Sequence, residues 1–206
     1  MKNTYHRSSL ALTVLALLAE EAMHPYRMQQ LIKDRGKDQV VNVRERTSIY
    51  QTIERLLRAG LIAVRETARE ERHPERTVYE LTAEGRRVMQ VWMREMLSTP
   101  RDEFPDFPAA LAFLPLLAPD DALRQLETRA DALGERVARM EADLQEQADT
   151  LPRLFLLEEE LMHATLAAEL EWVRALLADL RAGRLTWTGP WLDPPAGAPS
   201  DAGDLA

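Results

Sequence analysis

One short stretch of the chain carries side chains suited to reading hydrogen-bonding edges. Between residues 46 and 55, Arg46, Thr47, Ser48, Tyr50, Gln51, Thr52 and Arg55 are interleaved with Ile49 and Ile53. A glutamine amide donates and accepts at once, matching the N6/N7 edge of adenine, and the fork of Arg46 or Arg55 matches guanine or a phosphate. The hydroxyls of Thr47, Ser48 and Tyr50 suit phosphate oxygens. At helical spacing Ile49, Ile53, Leu56 and Leu57 face a core, which places Ser48, Gln51, Thr52 and Arg55 opposite, flanked by Thr47, Tyr50 and Arg58. Alone, such a face is an ordinary solvated helix surface, so its meaning depends on what surrounds it.

A second basic group, Arg69, Arg72, His73 and Arg76, is interleaved with Glu70, Glu71 and Glu75. Its net pull on phosphate is small; Arg72 and Arg76 are the two expected against a backbone or minor groove. Other chemistry finds little support. His6, His24, His73 and His163 have no metal-ligand spacing. His163 stands four residues after Glu159, but a solvated or pocket-lining histidine is the simpler reading. Glu158, Glu159 and Glu160 read as a helix start complementing its dipole. There is no glycine-rich phosphate loop, nucleophile elbow or triad. The sequence predicts neither an enzyme, nor a metal site, nor a cofactor.

The elements that must position these residues follow from periodicity. A largely buried helix is expected over 8–21, capped by Ser8 or Ser9, with a second from Pro25 to Arg35 that Gly36 ends. A third runs from near Thr47 to Gly60. The period then shortens: 61–64 and 77–81 read as two strands around the polar segment 65–76, and Thr82 caps a helix over 83–96. Three helices followed by a small hairpin is the layout of a winged helix-turn-helix, here over residues 1–97.

Residues 98–108 hold Pro100, Pro105 and Pro108 and read as a linker. A short apolar helix is expected over 109–118. Leu123, Leu126, Ala130, Leu133, Val137, Met140 and Leu144 then alternate spacings of three and four, a heptad seam. Pro152 is read as the start of the last helix, which ends at Gly183 and carries two apolar stripes. Leu154, Leu157, Leu161, Ala164 and Ala168 form one; Phe155, Met162, Leu166, Leu170, Val173, Leu177 and Leu180 form the other. One stripe suffices for an antiparallel hairpin within 109–183, so the other implies a second copy; the second stripe is assigned to dimerisation. Residues 184–206 read as a tail, disordered towards its end.

The formal charge of −8 seems wrong for a nucleic-acid partner, but it is unevenly spread. Residues 1–100 hold 17 Lys and Arg against 13 Asp and Glu, net +4, whereas the remainder holds 9 against 21, net −12. Where the charge lies decides association with phosphate. The chain has no cysteine, which excludes disulfides and thiolate chemistry and suits a reducing compartment. The apolar run 10–19 is too short to span a bilayer and leads into Glu20-Glu21 rather than a cleavage site. A cytoplasmic protein with no membrane partner is expected.

Three blocks carry a family resemblance. Residues 15–26, with Leu17-Leu18 and Met23-His24-Pro25-Tyr26, resemble the entry to the helix-turn-helix in the PadR family of bacterial transcriptional regulators. Ser48-Ile49-Tyr50-Gln51-Thr52-Ile53-Glu54-Arg55-Leu56, followed by Gly60-Leu61-Ile62, is similar to the family's recognition helix and its turn into the wing. Tyr79-Glu80-Leu81-Thr82-Ala83-Glu84-Gly85 is similar to its exit from the wing. Together they cover roughly residues 8–95. Pro25 replaces the usual Gly, Gln51 the usual Pro, and Arg72-His73-Pro74-Glu75-Arg76 a Gly-Arg-Pro type of turn, so the operator sequence does not carry over.

The resemblance implies a homodimeric repressor on palindromic double-stranded DNA, a helical dimerisation region, phosphate contacts from Ser48 and Tyr50, and a packing and capping role for His24. It also implies release of DNA by an aromatic or drug-like effector, for which Trp92, Phe113 and Trp172 are the candidate walls. The rival reading is a protein-interaction module that keeps the winged helix as a scaffold and docks a partner on its acidic helical half.

Overall fold

A serine hydroxyl starts the chain's first helix. Ser8 Oγ accepts a hydrogen bond from the Ala11 N–H at 3.1 Å, and α1 (Ser9–Glu20) follows, burying Ala11, Val14, Leu15, Leu17 and Leu18. A computed structural model describes residues 7–41, 46–68 and 76–187 of the chain; the side chains of residues 46, 47, 67, 68 and 76 lie outside that description. His24 caps α2 (Pro25–Asp34): its Nδ1 accepts from the Arg27 N–H at 3.1 Å, and Pro25 occupies the first turn, where no N–H is needed. This is the capping role the resemblance implies. α3 (Arg46–Arg58) ends at Gly60, whose φ of 70° is open to glycine without strain. The Leu61 N–H then returns to the Leu56 carbonyl at 3.0 Å.

Two antiparallel strands follow, β1 (Ile62–Ala68) and β2 (Arg76–Leu81), paired from Ile62↔Leu81 to Ala68↔Arg76 with a bulge between Val64 and Glu66. β1 is therefore longer than the four-residue strand expected from sequence. Its outer half, with Arg65, Glu66 and Thr67, lacks the apolar run used to recognise it, and hydrogen bonding to β2 holds it extended. The wing is tied to the helices as well. Met23 and Tyr79 exchange backbone hydrogen bonds of 3.1 and 3.0 Å, a single antiparallel bridge that ties the turn before α2 to β2.

Thr82 makes the exit from the wing. Its Oγ1 accepts from the Gly85 N–H at 2.9 Å to cap α4 (Ala83–Ser98), and lies 2.8 Å from the Gly60 carbonyl, to which it donates. One hydroxyl thus joins the end of α3 to the start of α4. Around these elements Val14, Leu15, Met28, Ile32, Ile49, Ile53 and Leu56 form the core, each 2% exposed or less. Truncating such a fully buried Leu or Ile to Ala costs about 2–5 kcal/mol.

The chain divides into two units, Met1–Asp102 and Glu103–Ala206. In the second, α5 (Asp106–Ala112) begins three residues before the predicted helix, with Asp106 and Phe107 in its first turn, and a single 3-10 turn over Leu114–Leu116 ends it. α6 (Pro119–Ala148) and α7 (Leu157–Arg181) form the antiparallel hairpin. Residues 153–155 make a 3-10 turn before α7, so Pro152 does not open the helix directly. Leu126, Ala130 and Leu133 of α6 bury against Leu170, Val173 and Leu177 of α7. Arg129 binds Glu169, Arg181 binds Glu127 at 2.6 Å and Gln147 binds Glu159 at 3.3 Å across the seam. Among the described residues no helix is long and apolar enough to cross a membrane.

Candidate nucleic-acid and dimer interfaces

The polar face of α3 is present, with one change of membership. Tyr50, Gln51, Glu54, Arg55 and Arg58 are exposed, Tyr50 by 49%, and Ser48 is half-buried at their edge. Arg46 and Thr47 are the first two residues of the helix, and their side chains lie outside the described residues. Thr52, expected on this face, is fully buried. The reason is helical geometry: Thr52 stands three residues after Ile49 and four before Leu56, both 0% exposed, which is the spacing of a single stripe. Its hydroxyl is not idle. Thr52 Oγ1 accepts from Arg55 Nη2 at 3.2 Å, and Arg55 Nε donates to the Gln51 carbonyl at 3.2 Å.

The face is held against the wing. Tyr79 of β2 packs towards α3; burial pushes its phenol above the ordinary range, and the charge of Glu54 and the nearby Tyr50 act in the same direction, against a lowering hydrogen bond from Thr77. Tyr79 thus lies between the base of the wing and α3, partly buried against the core of the first unit. Of the wing residues singled out from sequence, Arg76 is the first residue of β2, and Arg72 lies outside the described residues. Tyr26, not singled out from sequence, is 60% exposed in the first turn of α2 and stacks on His24 at 6.2 Å. Its signal was the position beside the capping histidine.

In the second unit the stripe of α7 that covers α6 is the one expected to face outward. Leu166, Leu170, Val173, Leu177 and Leu180, assigned from sequence to dimerisation, pack onto α6 of the same chain, and Met162 is half-buried. Phe155, the first of that set, lies before α7 and is 58% exposed. The outward stripe is the other one: Leu157 is 46% exposed and Leu161 about 70%, continuing through exposed Ala164 and Ala168 to Trp172, while Leu154, in the 3-10 turn before α7, is also exposed. The Leu- and Val-rich stripe removes more apolar area from water against the leucines of α6, so it wins the intrachain seam.

Trp172 is 50% exposed and meets Phe107 of α5 edge-on at 6.2 Å, while the Arg129 guanidinium lies 3.5 Å over the Phe107 ring. Phe113 is also exposed, by 57%. Trp92, the third aromatic considered for an effector, is buried in the core of the first unit. Trp187 donates to the Leu117 carbonyl at 2.8 Å, and residues 188–206 lie outside the described residues. Among the described residues no cluster of histidine and carboxylate side chains has the arrangement of a metal site.

Residues 14–91 match the transcriptional regulator PadR-like family. No curated protein sequence matches the chain. Among solved structures, the chain is similar to Bacillus subtilis PadR in complex with operator DNA (TM-score 0.69, 16% identity, covering 84% of this chain and 99% of that one). It is similar to the same protein in complex with p-coumaric acid (0.68, 15%, 84% and 98%) and to the Vibrio cholerae virulence activator AphA (0.64, 18%, 85% and 99%). At these identities the likeness establishes the fold: a winged helix-turn-helix followed by a helical region.

Proposed function

With residues 14–91 forming a PadR-like domain, we propose that this chain is a sequence-specific transcriptional regulator, a repressor that binds a palindromic operator as a homodimer. One observation carries the reading. α3 turns a polar face outward, Tyr50, Gln51, Glu54, Arg55 and Arg58 with half-buried Ser48 at its edge, and leads through Gly60 directly into a two-stranded wing. A recognition helix enters the major groove by its N-terminal residues. Gln51 then reads a base edge, Arg46 and Arg55 take guanine or phosphate, and Thr47, Ser48 and Tyr50 take phosphate. Arg72 and Arg76 place the wing on the backbone. Thr52, being buried, makes no contact. Such a regulator works in the cytoplasm.

The dimer face in this proposal is the outward stripe of α7. Leu157 and Leu161 stand at one end, preceded by exposed Leu154 of the 3-10 turn, Trp172 stands at the other, and Ala164 and Ala168 lie between them, so the small residues let two copies approach about a two-fold axis. The p-coumaric acid complex of Bacillus subtilis PadR supports an aromatic effector here too, with Phe113 and Trp172 offering exposed rings to it. The buried Trp92 suits packing instead.

A mobility shift on duplexes taken from upstream of the chain's own and adjacent genes tests the function. The expected result is a saturable complex that survives excess unrelated DNA and weakens steeply with salt. No shift at low salt would rule out the repressor.

A further inference from the structure

Among the described residues, Thr52 is the one polar side chain buried completely, and it sits in the middle of the helix proposed to read DNA. A core stripe made of Ile49, Ile53 and Leu56 would accept valine there, nearly the same shape, without taking a hydroxyl out of water. What the hydroxyl does is visible. Its Oγ1 accepts from Arg55 Nη2, while Arg55 Nε is bound by the Gln51 carbonyl, each at 3.2 Å. Two anchors from the preceding turn draw the guanidinium back along α3 towards its N-terminal end. That puts the exposed arginine beside Gln51 rather than extended from the last turn of the helix.

We propose that Thr52 is a positioning residue for DNA recognition, which presets the Arg55 guanidinium so that Gln51 and Arg55 meet the groove as one preformed unit. The inference rests on the DNA-binding reading above. An unanchored arginine must lose its rotamer freedom when it binds, and holding it beforehand removes that cost. For one such side chain the effect is about two- to tenfold in affinity. It applies where the arginine must be in one place, on the preferred sequence, and fades on DNA bound without regard to sequence.

The test starts by selecting duplexes from a randomised pool with the full-length protein, then measuring affinity by fluorescence anisotropy on a selected duplex and a scrambled one. Thr52→Val should weaken the selected duplex by about two- to tenfold and leave the scrambled one unchanged. Thr52→Ser, which keeps the hydroxyl, should bind as the parent does. In an Arg55→Ala background Thr52→Val should add nothing, because the group it positions is gone. If the valine variant is poorly folded, Thr52→Ala removes the same hydroxyl and takes its place. Equal losses on both duplexes, an undiminished loss in the Arg55→Ala background, or parental affinity of Thr52→Val would each overturn the positioning role. Failure of the parent protein to enrich any sequence is a separate result; it removes the functional reading and this inference with it.

Discussion

A methyl group on Gly85 would lie 1.9 Å from the carbonyl oxygen of Leu61. The first turn of α4 is thus laid directly on the residue that leaves α3, and the Thr82 hydroxyl bonds to the same junction at the Gly60 and Leu61 carbonyls. The only residue that fits is one with no side chain. The Thr82-Ala83-Glu84-Gly85 sequence is therefore a packing device as much as a helix cap, and it fixes the start of α4 to the turn that leaves α3.

Gly85→Ala should destabilise the first unit by about 1–3 kcal/mol, the cost of forcing a methyl into a filled space. Urea unfolding followed by circular dichroism measures it. A variant as stable as the parent would show that the α3–α4 junction gives way easily.

Gln51→Ala should broaden the sequence preference more than it weakens binding to unrelated DNA, because the amide is assigned to a base edge. Selection from a random pool with both proteins would show it. An unchanged preferred sequence would remove the direct-readout role.

The orientation of the two stripes on α7 separates two substitutions that look alike in sequence. Leu161→Glu, on the outward stripe, should leave helicity intact and shift sedimentation towards the monomer. Val173→Asp, 0% exposed in the α6–α7 seam, should instead unfold the hairpin. If Leu161→Glu remained a dimer, the outward stripe would not be the interface.

Acid sensitivity should follow the Glu20–Arg35 pair, two bonds of 2.7 Å joining α1 to the end of α2. Hydrogen bonding from Arg35, helped by its charge and opposed by slight burial, holds the Glu20 carboxyl below its ordinary range. A depressed carboxylate contributes stability above its unfolded-state value and loses it as pH falls through the folded one. Both side chains are 43–50% exposed, so solvent screening limits the contribution to below about 1 kcal/mol. The stability gap between parent and Glu20→Gln should be full at neutral pH and close progressively as the pH falls below about 4.3, the ordinary glutamate value. A gap independent of pH would contradict the pairing.

Much of this fold was legible because local chemistry and tertiary structure agree. Ser8, His24 and Thr82 cap the helices they precede, and Gly60 turns the chain where its positive φ is needed. What the sequence concealed was choice between equivalents. Thr52 looks like its neighbours Ser48 and Gln51, and only its spacing from Ile49 and Leu56 reveals the core. The two stripes of α7 are both apolar, and periodicity cannot say which one α6 covers; that is decided by the area each buries. The outer half of β1 is polar, held by pairing rather than propensity.

The central claim is that α3 and the wing read an operator in two copies. Hydroxyl-radical footprinting of the purified protein on the DNA upstream of its own gene tests it most directly. The expected pattern is two protected patches on one face of the duplex, with centres about one helical turn apart or a multiple of it. Absence of protection at low salt, with the protein folded and dimeric, would contradict the account.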